Sequence, residues 1–392
     1  MGRAGSVTIA NHGIQAGHGR LIGIVLALIV LFAWPVCPAA QDGNQAAAQW
    51  HIEATRWEEA EKIFHCDPRW LGGDGATAVD LGAGRVLWLF GDSFIDLSAS
   101  GTRSLSTLAR NSIAIQTGYD PSTAGMKFYW KTKDGKPSAF FEAKGDAWYW
   151  PASGIMLGRH LIVFLMEIQA TGKNALGFET RGWKAVWIDN PRDEPDRWRL
   201  SYLLSPQKNG LIVGSGTPIV ADGFLQVFAA AEKDRAVYLV RWPVSHARTG
   251  TLTAPQWWAG GKTGWVGQEN SLNRPARIFA EGQMEFTVEY LAREKRFLQV
   301  QTLSVMNPCL ASATAPATTG PWSEKSCFFR PVEQGQPDIL VYAGKSHPML
   351  KGSDMVFTYV ANTTKEDKLL NDMSIYFPVM LKGRIVRDGS TP

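Results

Sequence analysis

Helical periodicity is nearly absent from this chain of 392 residues, and that absence excludes helical bundles and coiled coils. Charged residues make up 19% of the sequence and the two signs almost balance, 40 Lys+Arg against 36 Asp+Glu, while 45% of residues are hydrophobic. A disordered chain needs the opposite, low hydrophobicity with a charge excess. Four cysteines in so long a chain are too few for a disulfide scaffold, and no Cys/His group has zinc-like spacing. No stripe of Lys and Arg offers a surface for nucleic acid. The chain is rich instead in Trp, with 16, and Gly, with 39. Strands, tight turns and sugar-like ligands are the expected use of that combination.

The first forty residues stand apart. They hold Arg3, Arg20 and no acid, then the unbroken apolar run LIGIVLALIVLFA from Leu21 to Ala33, then Pro35 and the small residues Ala39 and Ala40. The run is short for a membrane span, for which roughly 20 residues are needed, so residues 1–40 read as a secretory signal peptide, with an uncleaved anchor as the alternative. Removing them lowers the net charge from +4 to +2, because 38 basic residues then face 36 acids. Export, to the periplasm or the medium, makes Cys309 and Cys327 an expected disulfide around the Ala/Thr/Pro-rich loop between them, with Cys66 left as a thiol or a rival partner. Membrane contact is expected only through the N-terminal segment, if it stays uncleaved.

From residue 41 onward the chain reads as one domain. A short helix is predicted at WEEAEKIFHC, Trp57 to Cys66. Beyond it come short apolar or alternating runs bounded by Gly, Pro, Asn and Asp, such as RVLWLF, LIVFLMEI, AVYLVRW and DMVFTYVA. Several are apolar on both faces, as strands held between two other sheets must be. A pattern of inner run, tight turn and second run recurs at Asp74–Asp92, Trp150–Glu167, Ser215–Glu232, Glu285–Gln301 and Ile339–Asn362, with room in each unit for two more strands. Five four-strand units predict an all-β fold, a five-bladed β-propeller, with a segment near Trp50–Thr55 completing the C-terminal unit. A large β-sandwich is the competing architecture.

The most informative segment is GGDGATAVDLGAGRVLWLFGDSF, residues 72–94. It reads as a hairpin turning at Gly82-Ala83-Gly84. Antiparallel pairing about Ala83 sets Asp74 opposite Asp92 at the open end, with Cα atoms about 4.5–5.5 Å apart. Two carboxyl groups so close resist joint ionisation, so one stays protonated while the other is charged. That division suits acid and base work on a glycosidic bond. Equivalent positions in other units supply further candidates. Glu285 is a possible third acid; Arg110, Asn111, Trp150, Glu167 and His347 are candidate substrate contacts, with Arg110 and Asn111 also placed to orient Asp92. Trp148-Tyr149-Trp150 offers an apolar platform with an indole donor. Nothing calls for a metal or an organic cofactor: there is no EF-hand spacing, no phosphate-cradling glycine loop before a helix, and no G-x-S-x-G elbow. Asn362-Thr363-Thr364 fits an N-glycosylation sequon.

RWLGGDGATAVDLGAGRVLWLFGDSFI, then Arg110-Asn111-Ser112, YWPASG at 149–154, EFTVEY at 285–290, YAGKSHPML and TYVANT together resemble a five-bladed propeller family of endo-D-arabinanases, first catalogued as a domain of unknown function. The likeness spans about residues 65–385 and is most specific in the first hairpin. It implies glycoside hydrolysis of D-arabinofuranose polymers, with Asp74 and Asp92 as the catalytic pair and inversion at the anomeric carbon. Met349 departs from the family pattern, which has an acid there. The expected partner is a polysaccharide or oligosaccharide, and the expected state a monomer. The competing class is a non-catalytic propeller that binds an envelope glycan or organises other proteins; a sialidase-like propeller is disfavoured, since its S-x-D-x-G-x-T-W repeats are missing.

Overall fold

A computed structural model of the chain describes residues 50–172, 177–207, 210–269, 274–304 and 307–387. The expected signal peptide, residues 1–40, lies outside them. Among the described residues the fold is all-β, organised as five main antiparallel sheets in chain order.

Sheet I holds Thr77–Gly82, Arg85–Phe90, Ser112–Thr117 and Gly125–Tyr129. Sheet II holds Ala147–Leu157, His160–Ala170, Phe178–Ile188 and Leu200–Leu203. In sheet III, Leu211–Val213 and Ile219–Ala221 share one partner, Phe224–Ala231; Val237–Pro243, Gln256–Trp258 and Trp265–Gly267 follow. Sheet IV runs Thr287–Leu291, Arg296–Leu303, Cys309–Ala315 and Ser326–Phe329. Sheet V joins Ile339–Ser346, Met355–Thr363 and Pro378–Arg387 to the N-terminal strand Trp50–Arg56, which pairs from Trp50↔Arg387 to Arg56↔Leu381. Each recurring unit of the sequence thus begins one sheet.

Strands apolar on both faces make this possible. Arg85–Phe90 is buried throughout except at Arg85, and every residue of Met355–Thr363 is buried. The core consists of the spaces between successive sheets. Leu87, Leu89 and Ile113 of sheet I meet Leu161, Val163 and Val186 of sheet II. Phe164 and Trp183 of sheet II meet Val227, Leu239 and Trp242 of sheet III, and Phe286 at the head of sheet IV closes on Phe228 at 5.8 Å. Leu298 and Val300 of sheet IV pack on Val341 and Phe357 of sheet V. Val356 and Met380 of sheet V return to Val86, Trp88 and Phe90 of sheet I. Burying such side chains contributes about 1.5–3 kcal/mol each before entropy is counted, so these five interfaces hold the molecule together.

The predicted helix is present as an α-turn, Glu58–Glu61, continued by a 3-10 turn, Lys62–His65, which buries Ala60 and Phe64 in the seam between sheets V and I. Cys309 and Cys327 form the expected disulfide, with Cα atoms 5.8 Å apart on neighbouring strands, and Cys66 is an exposed thiol. A buried cation unforeseen in the sequence, Arg103, donates to the carbonyls of Leu71, Leu369, Asp372 and Ile375. It pins the loop after Met355–Thr363 against the start of the first hairpin.

Candidate active site

The first hairpin pairs as a turn around Ala83 dictates: Thr77↔Leu89, Ala78↔Trp88, Val79↔Leu87 and Asp80↔Val86. Beyond Thr77 the ladder breaks, because Gly75 and Ala76 take positive φ of 82° and 50°. It resumes at Gly73↔Ser93 in a small sheet of Trp70–Gly73, Ser93–Ile95 and Thr107–Ala109. Asp74 and Asp92 sit in that gap, where the kink frees both side chains from strand alternation. The Gly91 amide donates to the Asp74 carbonyl at 2.9 Å and keeps the two segments joined.

Asp92 is fully buried, and both its oxygens have partners. The Trp150 indole donates to Oδ1 at 2.7 Å, and Arg110 donates from Nη1 to Oδ2 at 2.9 Å while its guanidinium lies 4.2 Å from the centre of the Trp148 ring. Burial pushes the Asp92 carboxyl up, and the charge of Arg110 with the bonds from Trp150 and Arg110 offsets part of that rise. Asp74 is 5% exposed and receives the Tyr342 hydroxyl on Oδ2 at 2.8 Å. Burial, then the charges of Glu285 and Asp92, raise its carboxyl well above the ordinary range; the Tyr342 bond and the charge of Lys345 pull the other way.

Glu285 stands just before Thr287–Leu291 and brings a third carboxylate from sheet IV. Its Oε2 accepts from Lys345 Nζ at 2.7 Å, and the same ammonium, which has no exposed surface, also donates to the Gly75 carbonyl. Asp74 thus lies within electrostatic reach of both Asp92 and Glu285. A narrow pocket of about 40 Å³ opens at Glu285, lined also by Met166, Ile168, Met284 and by Trp150 and Tyr342, the partners of Asp92 and Asp74. A water occupies roughly 10–15 Å³ on such a scale, so the pocket has room for waters but not for a sugar ring.

Three predicted contacts are corrected. Asn111 is fully buried and spent on the backbone: its amide donates to the Phe141 and Tyr149 carbonyls and accepts from the Phe141 amide, which fixes the chain entering sheet II. Glu167 points to the opposite face of its strand from Met166 and Ile168, which line the pocket, because successive strand residues alternate. His347 packs against the Trp88 ring at 5.0 Å and bonds Thr358 Oγ1 at 2.8 Å; burial lowers its imidazole to about 3, so it is a neutral core residue. The aromatic platform is likewise divided. Tyr149 stacks with Tyr202 on the far face, and the Trp150 indole N–H is taken by Asp92. The sequon asparagine, Asn362, is fully buried and closed to glycosylation.

Lys345, Tyr342 and Asn362 are the site residues that sequence reasoning missed. The available signal was a lone lysine in the apolar strand ILVYAGKS. A register shift between Tyr342 and Lys345, with Ala343 at φ 56°, turns both toward the acids and carries His347 away.

The model of a domain of unknown function (DUF5005) matches residues 58–378. The chain belongs to this family. Every acid of the cluster, with Lys345, Tyr342 and Asn362, falls inside the DUF5005 match. Among solved structures, a "putative hydrolase" from Bacteroides ovatus ATCC 8483 shares the fold, with a TM-score of 0.69 at 15% identity over 91% of this chain and 98% of that one. The catalytic domain of a GH62 alpha-L-arabinofuranosidase from Coprinopsis cinerea reaches a TM-score of 0.45 at 10% identity, over 85% of this chain and 96% of that one. An endo-arabinase from Bacteroides thetaiotaomicron VPI-5482 reaches 0.43 at 13% identity, over 82% and 96%. No curated protein matches the sequence.

Proposed function

We propose that this DUF5005 domain is a glycoside hydrolase that cleaves furanosidic linkages of an envelope or extracellular glycan, D-arabinan being the first choice. In this reading residues 1–40 direct export to the periplasm or medium, residues 41–392 form one five-bladed β-propeller, and the five sheets are its blades. The observation that carries the proposal is the meeting of three carboxyl groups with unlike partners: Asp74, pushed well above the ordinary range by burial and the charges of Glu285 and Asp92; Asp92, paired with Arg110; and Glu285, paired with Lys345 at the pocket.

Those states suggest roles. Asp74 donates its proton to the glycosidic oxygen as the bond to the anomeric carbon breaks. Glu285, whose side chain keeps 15% exposure and whose Oε2 alone is taken by Lys345, accepts the proton of the water that attacks that carbon from the other side. The substrate gains the water, the enzyme's two carboxyl groups exchange one proton overall, and the configuration inverts. Asp92, sealed between Trp150 and Arg110, acts on Asp74 through its charge. The pocket admits the water, while the sugar lies across its mouth near Trp148 and Arg110.

The test is incubation of the purified mature protein with D-arabinan, L-arabinan, galactan and sialosides, with chromatography of the products. Oligosaccharide release, lost in Asp74→Asn and Glu285→Gln, supports the proposal. Saturable binding without product from any of them supports the non-catalytic glycan-binding class instead.

A further inference from the structure

The Asp74 carboxyl is anchored by a chain of hydrogen bonds whose direction is fixed from its far end. The backbone amide of Thr363 donates to Asn362 Oδ1 at 2.7 Å. A backbone N–H only donates, so the other end of the Asn362 side chain, Nδ2, is the group that faces Tyr342, at 2.9 Å from its hydroxyl. An amide nitrogen also only donates, so the phenol oxygen accepts there and its one proton points onward, to Asp74 Oδ2 at 2.8 Å. All three side chains are buried. Oδ2 is thus committed as an acceptor, and the carboxyl proton has Oδ1 as its place. Beside Oδ1 stands Gly91, where a Cβ would lie 2.3 Å away, so the absence of a side chain leaves that oxygen its space.

We infer that Tyr342, aligned by Asn362, is a positioning residue that confines the Asp74 proton to Oδ1 and favours the carboxylate once the proton has left. This deepens the glycosidase reading and rests on it only for the consequence for turnover. Asp74 is also faced by Glu285, Asp92 and Lys345, and the Tyr376 hydroxyl donates to the Asp92 carbonyl nearby. Glu285 and Asp92 oppose ionisation of Asp74, Lys345 assists it, and the hydrogen bond from the tyrosine favours the charged form.

The experiment follows the Asp74 carboxyl directly, by carbon NMR titration of aspartate-labelled protein, assigned with Asp74→Asn. It needs no substrate. In Tyr342→Phe the Asp74 midpoint should rise by about one pH unit or more, as expected for loss of a hydrogen bond to a charged group. Asn362→Leu keeps the hydroxyl and loses its alignment, so it should shift the midpoint the same way by less; it also serves as the test if Tyr342→Phe does not fold. An unmoved midpoint in a folded variant overturns the inference. On an active substrate, kcat should fall with its alkaline limb displaced upward while KM holds. A shifted midpoint in a protein that cleaves no glycan leaves the inference standing and removes the glycosidase reading.

Discussion

Replacing Gly91 with alanine puts one carbon where the site has no room for it. Gly91 does not have positive φ, so alanine meets no backbone strain, and the whole effect comes from space. The new Cβ would lie 2.3 Å from Asp74 Oδ1 and 3.6 Å from Trp150 Cδ1. Contacts of this kind are not found under 3.0 Å, so Oδ1 must retreat by at least 0.7 Å, the difference between the two distances. Asp74 has little freedom to do so: Tyr342 holds Oδ2, the Gly91 amide holds its carbonyl, and the side chain is buried. Twisting the carboxyl off its rotamer costs about 0.5–1.5 kcal/mol, and leaving the buried Tyr342 hydroxyl without its acceptor costs about 1–3 kcal/mol. Urea denaturation should therefore show Gly91→Ala destabilised by roughly 1.5–4.5 kcal/mol. Turnover should fall by about 10²-fold, the usual effect of a 1 Å misplacement. A variant within 0.5 kcal/mol of wild type and with unchanged turnover would show that Asp74 does not occupy this position.

Three further outcomes are expected. Lys345→Met leaves Glu285 without its ammonium partner and the Gly75 carbonyl without its donor; it should lose about 3 kcal/mol by denaturation, at the low end for a broken buried pair because Glu285 keeps some exposure. Asp74 and Asp92 are raised above their unfolded values, so their contribution to stability is complete below about pH 4 and is lost as pH rises through their folded pKa values. Thermal melts of Asp74→Asn should accordingly exceed wild type at pH 8, by a margin that shrinks toward pH 4. Removal of the Cys309–Cys327 bridge, which spans 18 residues, should cost about 3 kcal/mol, read as a lower Tm in the double Cys→Ala variant.

What was legible in the sequence followed from periodicity. The first hairpin could be registered because a tight turn fixes every pair behind it, and strands such as Met355–Thr363 announced burial on both faces. Glu167 was misread because it lies one residue from two pocket-lining neighbours, and alternation makes one residue the difference between facing a site and facing away. Asn111 was misread because polarity does not reveal whether a side chain is reserved for the backbone. Lys345 and Tyr342 were hidden by the irregular residues Ala343 and Gly344 between them, which no two-residue period anticipates. The Tyr342–Asp74 contact joins residues 268 apart, a pairing that only the packing of sheet V on sheet I brings about.

The most direct measurement is the rate of reducing-end formation from D-arabinan by the purified protein beside its Asp74→Asn variant. A general acid contributes about 10²–10⁴-fold. The account predicts release of oligosaccharides by the wild type and a rate lower by about that factor in a variant that melts at or above the wild-type temperature. Equal rates from the two proteins, or arabinan bound and left intact by the wild type, would contradict it.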